Sequence, residues 1–351
     1  MITDSTNSFA FVADYGNPLA SGTDNTKKNG DIAAFSIGKT GTISSIGLTA
    51  MPPYKINTPQ IDLTGCATLS PVGLALDPTG KFLFVASQAF YNTDASATTC
   101  GGLPVNGTRA PGVLVVFGVA SGKVTPVSVI AIPVPTGAPG TTTPQPSAVA
   151  VSNQGSFVYV TDYQNNTVVG FAYDSNGALT AIPGQFVTVG TLPQVVFSPP
   201  AGNFLYVGDA GTNDIYEFVI NSDGSLVPVI GGTGIIGTGN GPIAMLSDPN
   251  AKYVYVLAHQ GGQILAYTLN HVTGALTAVG TNGGAVSTGT GPVAFTIRSD
   301  GTTSGNFWVF SSNLGANTIS TFFLNGATGA LSALPQLTVP NGGAPYGVVT
   351  H

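Results

Sequence analysis

From Pro146 to Ile182 the chain reads PSAVAVSNQGSFVYVTDYQNNTVVGFAYDSNGALTAI, four short apolar-polar segments separated by turns of Gly, Asn, Asp and Ser. The first opens on Pro146, the second carries Tyr159-Val160, the third carries Phe171, and the fourth follows Gly177-Ala178-Leu179. Alternation with a period of two sends successive side chains to opposite faces, so each segment predicts a half-buried β-strand. None sustains the 3.6-residue apolar period of a helix.

The same pattern returns from Pro193, Pro242 and Pro292, at spacings of 47, 49 and 50 residues. A fifth copy starts at Pro71 (PVGLALDPTGKFLFVAS), is interrupted by an insertion at 88–111, and resumes as GVLVVFGVASGKVTPV. The sixth is split: FAFVAD, GDIAAFSI and GTISSI open the chain, and PYGVVT from Pro345 closes it. A four-strand unit of roughly 40–50 residues is the unit of a β-propeller. The predicted fold is therefore all-β, a single-domain β-propeller over 1–351 with six four-stranded antiparallel blades. They fall at 345–351 with 8–46, 71–128, 146–183, 193–230, 242–279 and 292–334. Pairing of the C-terminal strand with the N-terminal blade closes the ring and removes the exposed sheet edge. A seventh unit hidden in 47–70 would lack both the aromatic-Val strand and the G-x-L strand.

Composition narrows the function. The 48 Gly and 25 Pro make the chain turn-rich, while 43% hydrophobic residues leave a core to bury. Nine Lys+Arg against fifteen Asp+Glu, a net charge of -6, cannot supply a phosphate-neutralising stripe, so nucleic-acid binding is excluded. The longest apolar stretch, VLVVFGVA at 113–120, is too short for a bilayer span of about 18–20 residues.

The recurring YVTD (Tyr159–Asp162), YVGD (Tyr206–Asp209) and FVAD (Phe11–Asp14), each followed by a Gly turn and a G-A-L-like strand, resemble the YVTN-repeat propellers. That group includes the lactonase family, similar to 6-phosphogluconolactonase and to carboxymuconate-cyclising enzymes of the seven-bladed kind. The resemblance implies a His directly after the Pro that starts each inner strand, with Arg and Glu near the channel mouth. Here those positions hold Val72, Ser147, Gln194, Ile243, Val293 and Tyr346. Of the two arginines, Arg109 lies in the insertion and Arg298 near the far end of an inner strand; the single glutamate, Glu217, lies in a third strand. A lactonase must stabilise a developing oxyanion and move a proton. The expectation is accordingly an exported or cell-surface, non-enzymatic binding module with no catalytic residue, no cofactor and no metal. The alternatives are a lactonase-like hydrolase using Gln194, Ser147 and Tyr346 at the channel mouth, and a self-assembling structural protein.

The connections at 15–30, 47–70 and 88–111 are predicted to emerge on one face, where long loops on a rigid scaffold carry binding. They hold Tyr15, Tyr54, Phe90, Tyr91, Lys27, Lys28, Lys55 and Arg109. With Gln194, His259 and Tyr346, the residues Tyr15, Tyr54, Phe90, Tyr91 and Arg109 form the expected contact set for a glycan or protein partner; the alternative is loop-on-loop packing. Cys66 and Cys100 fall in connections on the same face and are expected to form a disulfide worth about 2–4 kcal/mol. A disulfide implies an oxidising compartment, so an extracellular, periplasmic or cell-surface location is expected. MITDSTNSFAFV carries no export signal, and the leader is then absent from this chain. Asp14, Asp162 and Asp209 recur at one blade position, with Ser87, Ala258 and Ser311 in the other blades, and are read as caps on turn N–H groups.

Overall fold

In the computed structural model the described residues are 1–4, 6, 8–16, 30–40, 42–52, 55–57, 60–62, 67–91, 99–100, 103–104, 109–135, 143–229, 235–280, 284–302, 305–339 and 345–347. They form an all-β, six-bladed propeller of four-stranded antiparallel sheets, with no α-helix among them. Two compact units divide the chain, Met1–Thr188 and Val189–His351, with three of the blade sheets in each.

In the first unit, sheet 1 comprises Ile2–Thr3, Phe9–Asp14, Asp31–Ile37 and Ile43–Ala50. Sheet 2 comprises Ala67–Leu76, Phe82–Tyr91, Arg109–Ala120 and Lys123–Ala131. Sheet 3 comprises Pro146–Val151, Phe157–Asp162, Thr167–Tyr173 and Leu179–Thr188. Beside Phe9–Asp14, the place expected for PYGVVT is held among the described residues by Ile2–Thr3, with Ile2 opposite Phe11. Pro345–Gly347 form no strand, and 348–351 lie outside the described residues. Stretch 47–70 holds a two-stranded ribbon, Lys55–Asn57 with Gln60–Asp62, between sheets 1 and 2 rather than a seventh blade.

In the second unit, sheet 4 comprises Pro193–Phe197, Phe204–Asp209, Asp214–Ile220 and Leu226–Pro228. Sheet 5 comprises Pro242–Ser247, Tyr253–Ala258, Gln263–Leu269 and Leu276–Ala278. Sheet 6 comprises Pro292–Ser299, Phe307–Asn313, Thr318–Leu324 and Leu331–Ala333. Here each fourth strand covers only one end of its third strand. A fifth piece the sequence did not announce, Ile235–Gly237, Val286–Ser287 or Leu337–Thr338, pairs with the other end.

The aromatic-Val strands supply the core. Tyr159, Tyr206 and Tyr255 on second strands, and Phe117, Phe171 and Phe322 on third strands, are fully or almost fully buried. Removing an aromatic of this size from water contributes about 1.5–3 kcal/mol each. The repeated G-x-L turns explain how neighbouring sheets join. Gly274 has φ +82, and a Cβ there would lie 2.4 Å from the Phe204 ring of the preceding sheet. Tyr206 Oη donates to the Gly274 carbonyl at 2.6 Å. Gly329 repeats the arrangement against Tyr253, with φ +74. The glycine signature is thus a sheet-to-sheet joint as much as a turn.

Every Pro-started inner strand shares one irregularity. The register shifts between Pro71 and Gly73, Pro146 and Ala148, Pro193 and Val195, Pro242 and Ala244, and Pro292 and Ala294. Val72, Ser147, Gln194, Ile243 and Val293 are therefore bulge residues, and a bulge re-aims its side chain at the end of the sheet. No helix among the described residues is long and apolar enough to cross a membrane.

Candidate functional site

The stretch read as an insertion at 88–111 is not all loop. The second and third strands of sheet 2 run on through Tyr91 and back from Arg109, with Arg109 opposite Phe90 and Ala110 opposite Ala89. The inner strand lengthens to match, pairing Ala67 with Tyr91. These extra rungs carry Arg109 to the end of sheet 3 where Pro146 starts the inner strand.

Three elements hold the guanidinium there. Nη1 donates to Gln145 Oε1 at 3.1 Å and to the Tyr163 hydroxyl. The Phe90 and Tyr163 rings lie 5.7 and 5.8 Å from the guanidinium carbon, a distance at which a cation is attracted to an aromatic face. Gln145 is fully buried and uses both ends of its amide, accepting from Arg109 at Oε1 and donating Nε2 to the Ala110 carbonyl at 2.9 Å. Its backbone N–H goes to Asp162 Oδ1 at 2.9 Å, which ties the arrangement to the YVTD motif. Among the described residues no carboxylate pairs with Arg109, and its Nε and Nη2 edge has no protein acceptor.

Tyr15 completes the wall. Its ring meets Phe90 edge-on at 6.3 Å, and its hydroxyl donates to Gln88 Oε1 at 3.2 Å. Burial raises the Tyr15 pKa, and the Arg109 charge opposes that rise. Gln88 in turn donates Nε2 to the Pro146 carbonyl at 3.3 Å. On the bulge itself, Ser147 Oγ and Thr161 Oγ1 share a hydrogen bond of 2.8 Å. One edge of a fork-shaped cation and the Tyr163 hydroxyl that it polarises thus stand together at this end of sheet 3. That set can hold a carbonyl oxygen as it acquires negative charge.

The expected contact residues distribute unevenly. Tyr15, Phe90 and Arg109 come together. Tyr91 points to the other face of its strand and is buried in the core with Phe11 and Leu69. Tyr54, Lys27 and Lys28 lie outside the described residues. Gln194, His259 and Tyr346 belong to the second unit. Gln194 is half-buried on its bulge, Tyr346 is exposed, and His259 Nδ1 lies 2.8 Å from the Pro292 carbonyl. A carbonyl only accepts, so Nδ1 carries the proton and Nε2 is left as the basic nitrogen. Cys66 lies outside the described residues; Cys100 forms a short strand with Thr99, and the described residues contain no disulfide.

Gln145, Tyr163 and Gln88 were not anticipated. Gln145 directly precedes an inner-strand Pro and Tyr163 directly follows YVTD, so sequence position alone could have nominated both. The aspartate position also needs adjustment. In sheet 6 it is held by Asn313, opposite Pro292, and not by Ser311, because that second strand runs further past its aromatic-Val pair.

The family model described as Lactonase, 7-bladed beta-propeller matches residues 115–226 and 193–295, together just over half of the chain. The chain belongs to the Lactonase family. Its described residues hold six four-stranded sheets where the family's description names seven blades. No curated protein matches the sequence significantly. Among solved structures, the fold is similar to the periplasmic gluconolactonase of Pseudomonas aeruginosa, at 18% identity and a TM-score of 0.67, covering 96% of this chain and 84% of that one. It is also similar to a proposed 6-phosphogluconolactonase of Bacteroides fragilis, at 17% identity and a TM-score of 0.57, covering 99% of each chain. Membership in the Lactonase family overturns the expectation of a non-enzymatic binding module and favours the lactonase-like alternative. The physical reason lies in Arg109: the continued strands deliver to an inner-strand start the cation that appeared to be missing there.

Proposed function

We propose that the protein is a lactonase-like hydrolase in which Arg109 and Tyr163 hold the reacting carbonyl. The carrying observation is the Arg109 guanidinium, fixed beside Pro146 by Gln145 and Tyr163 and paired with no carboxylate among the described residues. In lactone hydrolysis water adds to the ring carbonyl, giving a tetrahedral oxyanion. The ring C–O bond then breaks to yield an alcohol and a carboxylic acid, which ionises and releases one proton. Donors aimed at the oxyanion lower this barrier because they need no reorganisation as charge develops. Tyr163 accepts from Arg109, so its own O–H proton is directed to another oxygen.

The test is proton release from a panel of sugar and muconate lactones, followed by pH-stat. Turnover is expected, and Tyr163→Phe, which keeps the ring over Arg109, is expected to lower kcat about tenfold or more. Absence of turnover on every lactone, or equal turnover by Tyr163→Phe, sinks the assignment. An exported location goes with this reading, as for the periplasmic P. aeruginosa neighbour. Mass spectrometry of unreduced protein is then expected to show Cys66 and Cys100 linked; two alkylatable thiols would remove that support.

A further inference from the structure

The aspartate that ends the second strand has a different fate in sheets 3 and 4. Asp162 accepts the N–H groups of Gln145 and Gln164 at 2.9 and 3.1 Å, together with the Asn165 amide. Asp209, at the same position, is fully buried, yet neither carboxylate oxygen has a hydrogen-bond partner of good geometry. Two of the donors that serve Asp162 are redirected here, and the third position has a different backbone conformation. The counterpart of Asn165 is Thr212, whose hydroxyl turns to Asp214 Oδ1 at 2.7 Å. The counterpart of Gln164 is Gly211, whose N–H goes to the Thr191 carbonyl at 2.9 Å. The counterpart of Gln145 is Leu192, which stands at φ +55, a conformation a branched side chain rarely adopts.

Across the strand pair Asp209 faces Asp214, where sheet 3 has Thr167. Gly190 closes over both: a Cβ there would lie 2.9 Å from Asp209 Cβ, 2.9 Å from Asp214 Oδ1 and 2.1 Å from Thr212 Oγ1. The groups facing Asp209 are Asp214, Tyr216 and the Gly190 N–H, and among the described residues no lysine, arginine or histidine pairs with it. A carboxyl buried without a hydrogen-bond donor or a cation, and facing a second acid, favours its protonated form.

We propose that the buried Asp209 carboxyl holds a proton that locks the Gly190–Gln194 connection onto sheet 4, and that its loss at alkaline pH releases this connection. The inference does not depend on the hydrolase reading. Burial first, and Asp214 second, push the Asp209 carboxyl up to about 8, opposed by the Gly190 N–H. An acid whose folded pKa is raised stabilises the fold fully below its unfolded value and loses that contribution as pH climbs to the folded value. Glu217, in the same sheet, is raised to about 7 by burial, opposed by the Leu276 N–H, so its transition precedes that of Asp209 and overlaps its lower part. Below its folded value the Asp209 carboxyl by itself lowers the folding constant by up to about tenfold per pH unit, while the Met1 amino group, lowered by burial, acts in the opposite sense near pH 8.

The experiment is urea unfolding of the full chain from pH 5 to 9.5, with amide exchange at residues 190–192 corrected for the intrinsic rate. Protection of those amides is expected to fall above pH 7. The Asp209 step is expected to disappear in Asp209→Asn, whose amide is neutral at every pH. Should that variant fail to fold, Asp214→Asn, which removes the facing charge, is expected to move the step to lower pH. Parallel pH profiles for wild type and Asp209→Asn, or an unmoved step in Asp214→Asn, overturn the proposal. Protection of wild type by millimolar calcium at pH 8.5 that is lost in Asp209→Asn also overturns it, because the carboxyl would then hold a cation instead of a proton.

Discussion

Replacing Arg109 by methionine should lower kcat/KM for lactone hydrolysis by about 10²–10³-fold, the loss seen when one preorganised oxyanion donor is removed. Methionine keeps an unbranched stem of similar reach between Phe90 and Tyr163, so the wall retains its packing while both the charge and the donor edge are lost. The unfolding midpoint should move little, because the guanidinium is half-buried and makes no ion pair among the described residues. Arg109→Lys should recover only part of the rate. An ammonium restores charge but cannot place two parallel N–H groups on one ligand while a third reaches Gln145. Full activity in Arg109→Met, measured on the best lactone of the panel, would move the chemistry away from this end of sheet 3.

Gly274→Ala should destabilise the second unit by about 2–5 kcal/mol. The left-handed conformation costs a Cβ-bearing residue about 1–2 kcal/mol, and forcing a methyl into a filled site adds about 1–3 kcal/mol. Here the methyl would meet the Phe204 ring at 2.4 Å, and Phe204 is itself buried between the sheets. The shift also disturbs the Tyr206 hydrogen bond to the same residue's carbonyl. Gly280 supplies the control: its φ is +64 but nothing lies within 4 Å of an added Cβ. Gly280→Ala should therefore show only the conformational cost. Thermal unfolding of the two variants side by side separates ring contact from backbone strain, and equal midpoints would refute the joint described for the G-x-L turns.

How far the sequence could be read depended on whether a feature repeats. The inner strands were legible because Pro146, Pro193, Pro242 and Pro292 each sit at the start of one, and the aromatic-Val pairs marked the second strands. Periodicity says nothing about a feature that occurs once. The lengthened strands of sheet 2 are such a feature: the Pro111-Gly112 pair in RAPG reads as a turn, yet it forms an irregularity within a continued ladder, and only cross-strand pairing decides. Arg109 was visible in one contact set with Tyr15 and Phe90, but its placement beside Gln145 and the Pro146 strand start rested on that decision. Similarly, Asp162 and Asp209 look alike in YVTD and YVGD. Their difference lies in residues three to five positions away, Asn165 against Thr212 and Thr167 against Asp214, whose effect appears only once they face the carboxylate.

The ladder that raises Arg109 separates two kinds of sequence freedom. Phe90 and Arg109 are fixed to each other by backbone pairing, so the register of the cation is set by the ladder. A substitution that leaves this rung paired leaves the guanidinium beside Gln145 and Tyr163, so the ladder separates the position of the cation from the identity of the side chains around it.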